Sequence, residues 1–457
     1  MVERKLPKLE VAGSNPVVRF FGRHEPRRCL AGHAKSRRAA KFIVVNDFCT
    51  VATDGVLAHA RVLAHSLRTT NPNSRCFLLS IEGTDGLLHT DHELFEVLTI
   101  DDLGLPQLWR LAEMYSGFEL AVALKPFLCR HLLKTSSQVV YLDADIRVYA
   151  SLANIFEQLE ADQILLTPHI LSALPRDSMG PSDLDIIKAG IFNTGFIGFG
   201  RGEQALQMLD WWCEHTVDKQ PNGPNGGATN DQIWASLVPS LFSAAQILRD
   251  PGLNAAYWNL HERPLAQHDD SFFVGSERLR FFHFSGFSPD DPAILSKHSN
   301  RFSVLENKAL AALCAQYAQE LEKAGYFNRS RKPYRWSHSP GGIEMSAPNL
   351  PYFRSTQDSA PNCSVLFEDG EQAWLEWLGS PAREAEGGAH GVSNILAKVW
   401  NDRPDLQAAF PDLAGDDGPR LLEWQASSGV LEDLPPRAVT QRLHTSGLRP
   451  AAAICSA

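Results

Sequence analysis

The sequence predicts an α/β protein, a Rossmann-like mixed sheet flanked by helices, followed by a smaller helical C-terminal domain. Three observations carry that expectation. From residue 42 to about residue 143, strand-length apolar runs alternate with helical patterns. One of those runs ends in two carboxylates one residue apart. Beyond residue 370, helical patterns return, separated by Gly and Pro.

Taken in order, Phe42-Ile43-Val44-Val45 and Phe48-Cys49-Thr50-Val51-Ala52 open the β-rich region. Val56, Ala60, Leu63 and Leu67 follow at spacings of four, three and four, which is one apolar helix face. Arg75–Ser80 reads as a second strand and Glu93–Ile100 as a third. Ala123–Leu133 reads as a helix, and Gln138-Val139-Val140-Tyr141-Leu142 as a buried strand. Further on, Ile164–Thr167, Phe192–Phe199 and Arg280–Phe284 read as strands, and Glu203–Val217 and Phe302–Ala324 as helices. The Pro- and Gly-rich stretch 221–227 reads as a loop. Ala373–Leu378, Val392–Trp400 and Leu421–Gln425 are the helical patterns of the C-terminal part.

At 457 residues the chain exceeds a single ordinary domain. The boundaries divide it into a basic leader (1–41), an α/β domain (42–326), an extended linker or wrap (327–370) and a helical domain (371–457). The net charge of −10 is unevenly spread. Residues 1–41 hold eleven Lys and Arg against three Glu, a net of +8, which leaves −18 for the rest. The leader is read as a solvated tail, with peripheral contact to anionic lipid as the rival reading. The acidic body argues against nucleic acid as the partner, because phosphate binding needs a basic face. No apolar run reaches the about 20 residues that span a bilayer, and no secretory signal is evident at the start. The eight cysteines contain no Cys-x-x-Cys pair, so a cytoplasmic home, with the inner membrane face as a variant, is the expectation.

The chemistry centres on Asp143-Ala144-Asp145, directly after the apolar strand. With a period of two, extended backbone would aim both carboxylates to one side. Hard oxygen ligands there suit Mg²⁺ or Mn²⁺, which would hold a diphosphate. A second triplet, Asp183-Leu184-Asp185, follows no strand and reads as loop. His283, after its own apolar strand, offers a third ligand as neutral imidazole, the rival reading being a core histidine.

In order and spacing these segments resemble a GT-A fold glycosyltransferase, most closely family 8, the group of glycogenin and the bacterial lipooligosaccharide galactosyltransferases. The matching segments are Phe48–Asp54, Leu124-Lys125-Pro126-Phe127, Tyr141–Asp145, Phe192-Asn193-Thr194-Gly195, Asn230-Asp231-Gln232 and Phe282-His283-Phe284-Ser285-Gly286. They cover roughly residues 46–300. The resemblance implies transfer of a sugar from a nucleotide-sugar, UDP-linked, to a glycan or a polysaccharide- or lipid-linked acceptor, with retention. It implies that Thr50, Ala52, Thr53 and Asp54 hold the nucleotide base, and that Lys125 and Ala144 lie by the donor. Asp143, Asp145 and His283 would bind metal. Asn193 and Gly195 would hold the donor sugar, and Asp231 and Gln232 would lie at its reacting face. Gly286 belongs to the family's His-x-x-Gly. The family's later Lys-Pro-Trp is absent, and Lys297 stands as a replacement phosphate clamp or as an exposed structural lysine. Tyr257-Trp258 is the aromatic pair placed as an acceptor platform. The rivals are a sugar-nucleotide nucleotidyltransferase, which would want a basic Gly-rich loop at the first strand, and a silent carbohydrate-binding protein.

Overall fold

Strand β1 (Asn46–Ala52) forms because Phe48 to Ala52 are apolar or β-branched and both of its faces are covered: every residue from Asp47 onward is buried. The computed structural model describes residues 46–83, 88, 92–106, 108, 111–112, 115–218, 230–328, 334–339, 342 and 371–429. The leader 1–41, the run Phe42–Val45, the loop 221–227 and most of the expected linker 327–370 lie outside the described residues.

After β1 come α1 (Leu57–Thr70), β2 (Ser74–Ser80), β3 (Glu96–Thr99), α2 (Gly117–Ala123), α3 (Lys125–Leu132) and β4 (Gln138–Leu142). Next are β5 (Ile146–Val148), α4 (Ala153–Gln158), β6 (Ile164–Pro168), α5 (Asp183–Ala189), β7 (Phe192–Gly200) and α6 (Glu203–Asp218). Then α7 (Asn230–Ala235), α8 (Val238–Leu241) and β8 (Ala245–Ile247) lead to β9 (Leu265–His268), β10 (Ser271–Val274), β11 (Glu277–Arg278) and β12 (Phe281–His283). Helix α9 (Lys308–Lys323) closes the α/β part.

Seven strands form one mixed sheet in the order β3-β2-β1-β4-β7-β6-β8. The run from β3 to β4 is parallel, and β7 is antiparallel to both β4 and β6. Alternation along β4 divides the core. Val139 and Tyr141 pack with Cys49, Leu128 and Trp212 on one face, and Val140 and Leu142 with Phe48, Leu63 and Phe156 on the other. A sheet covered by helices on both faces is the architecture predicted from the sequence. The short strands β5 and β12 pair antiparallel outside the main sheet, setting His283 opposite Ile146. Strands β9 to β11 form a three-stranded meander. Tyr317 of α9 stacks on Phe284 at 3.7 Å between ring centroids and so anchors the end of β12.

Several elements differ from expectation. The helix predicted over 302–324 starts only at Lys308, where the Asn307 side chain accepts a hydrogen bond from the Leu310 N–H. Asp183-Leu184-Asp185 is the first turn of α5, not a loop. Ser182 and Asp185 form a reciprocal capping box there, and Asp183 Oδ1 accepts from Leu174 N–H at 2.9 Å, which accounts for the two acids without any metal.

Residues 371–429 hold α10 (Glu371–Gly379), α11 (Asn394–Asp402), α12 (Pro404–Ala409) and α13 (Asp417–Ser428). Trp374, Leu378, Ile395, Leu396, Val399, Leu406 and Leu421 form a core among these helices. Three of the four match the sequence patterns. The unforeseen α12 opens on Pro404, whose fixed φ suits a first helical turn.

Candidate metal and donor site

Strand β4 stops at Leu142, and Asp143 to Ile146 form a tight turn closed by Ile146 N–H donating to the Asp143 carbonyl at 3.1 Å. The two carboxylates therefore meet through a turn, not through continued extension. The β5–β12 pairing then brings in His283. Its Nε2 lies 3.0 Å from Asp145 Oδ1 and 3.8 Å from Asp143 Oδ2. One ligand atom from each of Asp143, Asp145 and His283 falls within 4.8 Å of the others. Two carboxylates and an imidazole fit a hard divalent cation such as Mn²⁺ or Mg²⁺, so this trio can hold one.

Gly195 makes that approach possible. A Cβ at this position would sit 2.4 Å from His283 Cε1. The Gly195 carbonyl also accepts from Asp143 N–H at 2.8 Å, tying β7 to the head of the turn. The charges reinforce one another. Burial alone would raise the Asp145 carboxyl, but His283 outweighs it and holds the acid at about 2. Burial would lower His283, yet Asp145 and then Asp143 lift it above the usual imidazole value.

Lys125, at the start of α3, is buried and reaches two carboxylates at once. Its Nζ lies 3.0 Å from Asp143 Oδ1 and 3.0 Å from Asp231 Oδ2. Burial works against the ammonium, but Asp143 and Asp231 outweigh it and raise its pKa. Asp231 also accepts from the Thr194 hydroxyl. The neighbouring Gln232 accepts at Oε1 from Asn193 Nδ2 at 2.8 Å. The structure thus brings together Lys125, Asp143, Asp145, Asn193, Gly195, Asp231, Gln232 and His283.

The other predicted residues sit at the end of β1, in the turn after β4 and in the loop after β12. Thr50 and Ala52 are buried in β1. The Thr50 hydroxyl has no hydrogen-bond partner among the described residues. Thr53 and Asp54 follow at the carboxyl end of β1, where Asp54 N–H donates to Glu82 at 3.0 Å. Ala144 is buried inside the turn. Gly286 has φ +74°, and a Cβ there would meet His298 at 2.6 Å. Lys297 donates its backbone N–H to the Gly286 carbonyl at 3.0 Å, while its side chain is exposed. Trp258, placed with Tyr257 as an acceptor platform, is instead buried edge-on to His169 and His283.

Sequence reasoning missed Glu82, His169, Thr194, Asn254 and Asn259. One signal was available: His169 follows the apolar strand β6 much as Asp143 follows β4.

The chain thus combines a mixed α/β sheet with an acidic pair at the carboxyl end of a central strand and an imidazole beside it. No protein-family model matches the chain. Among curated proteins it is similar to the uncharacterized protein YfnF of Bacillus subtilis (strain 168), at 26% identity over 258 residues, 53% of this chain and 82% of YfnF. Among solved structures it is similar to the galactosyltransferase LgtC in complex with donor and acceptor sugar analogs (15% identity, 64% of this chain and 98% of LgtC, TM-score 0.35). It is also similar to mouse xyloside xylosyltransferase 1 (14% identity, 52% and 97%, TM-score 0.34). No helix among the described residues is long and apolar enough to cross a membrane.

Proposed function

We propose that the chain is a metal-dependent glycosyltransferase that moves a sugar from a UDP-sugar to a glycan, polysaccharide- or lipid-linked acceptor, with retention of configuration. The observation that carries the reading is the convergence of Asp143, Asp145 and His283 beside the buried Lys125–Asp231 pair.

In this reading Asp143, Asp145 and His283 are the ligands of Mn²⁺ or Mg²⁺. Such an ion, when bound, neutralises the leaving diphosphate as a Lewis acid. Thr50, Ala52, Thr53 and Asp54, at the carboxyl end of β1, line the base and ribose. Ala144, in the turn, lets the donor approach. Gly286 shapes the loop from which Lys297 reaches the diphosphate. Lys125 holds Asp143 and Asp231 in fixed relation, because a buried ammonium between two carboxylates at 3.0 Å each ties both in place. Asp231 then presents a carboxylate to sugar hydroxyls or to oxocarbenium charge, and the Gln232 amide supplies a dipole at the same face. The helices beyond residue 371 are assigned to docking of the acceptor.

The test is UDP release from a panel of UDP-sugars with Mn²⁺, comparing wild type with Asp143→Asn. Metal-dependent release that the substitution abolishes supports the reading. Release that survives Asp143→Asn, or no release and no UDP binding, argues against it.

A further inference from the structure

The Asn193 side chain has no hydrogen-bonding capacity left over. Its Oδ1 accepts from Gly195 N–H at 3.1 Å and from Asn254 Nδ2 at 3.0 Å. Its Nδ2 donates to Gln232 Oε1 at 2.8 Å and to His169 Nε2 at 3.2 Å. An amide has two donors and two acceptor positions, and all four are filled inside the protein. An Asn193 so engaged orients its neighbours.

The direction of this chain is unambiguous. Gly195 N–H can only donate, so the amide oxygen of Asn193 must face it. Asn254 must then present Nδ2 to that same oxygen, and its second N–H goes to Thr167 Oγ1 at 2.9 Å. The amide nitrogen of Asn193 is left for Gln232 and His169. Burial lowers the His169 ring to about 4, so the ring is neutral and its Nε2 can accept. Gln232 is obliged to turn its oxygen toward Asn193, which leaves its Nε2 near the Ala189 carbonyl at 3.4 Å.

Asn254 is built in at some cost. It is fully buried, holds φ +54°, and its Oδ1 has no hydrogen-bond partner among the described residues. Asn259 secures its backbone by donating from Nδ2 to both the Asn254 and the His169 carbonyls at 3.0 Å. A strained, fully buried amide with one unsatisfied oxygen is retained where the neighbouring geometry needs its donors.

We propose that Asn254 and Asn193 are positioning residues for the transfer step: through one directional hydrogen-bond chain they lock the orientation of the Gln232 amide. The proposal rests on the reading that Asp231 and Gln232 face the reacting sugar. Asn254→Asp keeps the shape and tolerates the same backbone region but can only accept. An ionised carboxylate at position 254 sets an oxygen against the Asn193 Oδ1 that Gly195 N–H holds, so Asn193 either keeps a repulsive contact or turns and loses Gly195, and in both cases the Gln232 amide loses its fixed partner.

The experiment uses the full chain with Mn²⁺ and measures UDP release from UDP-galactose and UDP-glucose. The proposal predicts that Asn254→Asp lowers kcat roughly tenfold to a hundredfold. KM for the donor should stay within about twofold, because donor binding is not touched. In a Gln232→Ala background the same substitution should cause no further loss. Thr167→Val, which removes one anchor and leaves Asn254 in place, should give a smaller loss of the same pattern, and it serves if Asn254→Asp fails to fold. An equal loss in both backgrounds would mean a merely structural role and overturn the proposal. Side-chain amide hydrogen exchange, followed by NMR, judges the chain without turnover. Faster exchange at Gln232 in either variant supports it, and unchanged exchange overturns it. Wild-type protein that neither binds UDP with Mn²⁺ nor releases it would instead remove the reading of the site on which the proposal stands.

Discussion

Gly195→Ala is the most discriminating single substitution for the geometry of the metal trio. The added methyl would lie 2.4 Å from His283 Cε1, whereas ordinary contact begins near 3.4 Å, so one of the two groups must move by about 1 Å. The ring has little room to yield. His283 is 4% exposed, packed edge-on against Trp258, and its backbone N–H donates to the Ala255 carbonyl at 2.8 Å. Metal–ligand distances tolerate only about 0.2 Å, so a displacement of that size removes the imidazole from the coordination sphere. Overpacking of this kind costs about 1–3 kcal/mol in stability. Loss of ligand positioning should weaken Mn²⁺-dependent UDP binding by roughly tenfold to a hundredfold. Titration calorimetry of UDP in saturating Mn²⁺ measures the second effect and thermal denaturation the first. Gly198→Ala is the control: on the same strand, its methyl would meet Leu165 Cβ at 3.3 Å, a contact small shifts relieve. Folded Gly195→Ala protein that binds UDP within about twofold of wild type would refute the argument that His283 must sit against a glycine.

Three further predictions concern other parts of the molecule. Lys125→Met leaves two carboxylates without their buried cation, so metal-free protein should lose about 3–5 kcal/mol, and Mn²⁺ should restore more stability than it adds to wild type; melting with and without Mn²⁺ checks this, and equal shifts would contradict it. Burial lifts the Glu82 carboxyl to about 7, more than its hydrogen bond from Asp54 N–H lowers it. Because the folded value lies above the unfolded one, its contribution is present below about pH 4.5 and is lost as pH rises through 7. Glu82→Gln should therefore gain on wild type between pH 5 and pH 8 in thermal denaturation, and parallel pH profiles would count against the assignment. Leu396→Ala empties a fully buried position among the C-terminal helices and should cost about 2–5 kcal/mol in chemical denaturation; a change below about 1 kcal/mol would mean that this core does not hold the helices together.

The sheet was legible because its central strands are buried on both faces and so read as unbroken apolar runs, Val139–Leu142 most clearly. Asp143, Asp145 and His283 were legible because each follows such a run. The turn that joins the two aspartates was not, since nothing in Asp-Ala-Asp-Ile distinguishes a turn from continued strand. Strand β5, three residues long, is too short for a period to show. The capping box at Ser182 disguised a helix start as a loop, and Trp258 was placed as a platform because its segment, Asn254–Asn259, reads as a loop. The hydrogen-bond chain among Thr167, His169, Asn193, Gln232 and Asn254 was invisible for a different reason. Its members come from the end of β6, from β7, from α7 and from the loop at Asn254, and a polar residue carries no mark of its tertiary partner.

The central claim is that Asp143, Asp145 and His283 form a metal-dependent donor site. Calorimetric titration of UDP into the full-length protein, with and without Mn²⁺, on wild type and Asp145→Ala, tests it most directly. The account predicts binding that requires Mn²⁺ and disappears in the variant. Binding of equal strength without the metal, or undiminished by Asp145→Ala, would contradict it.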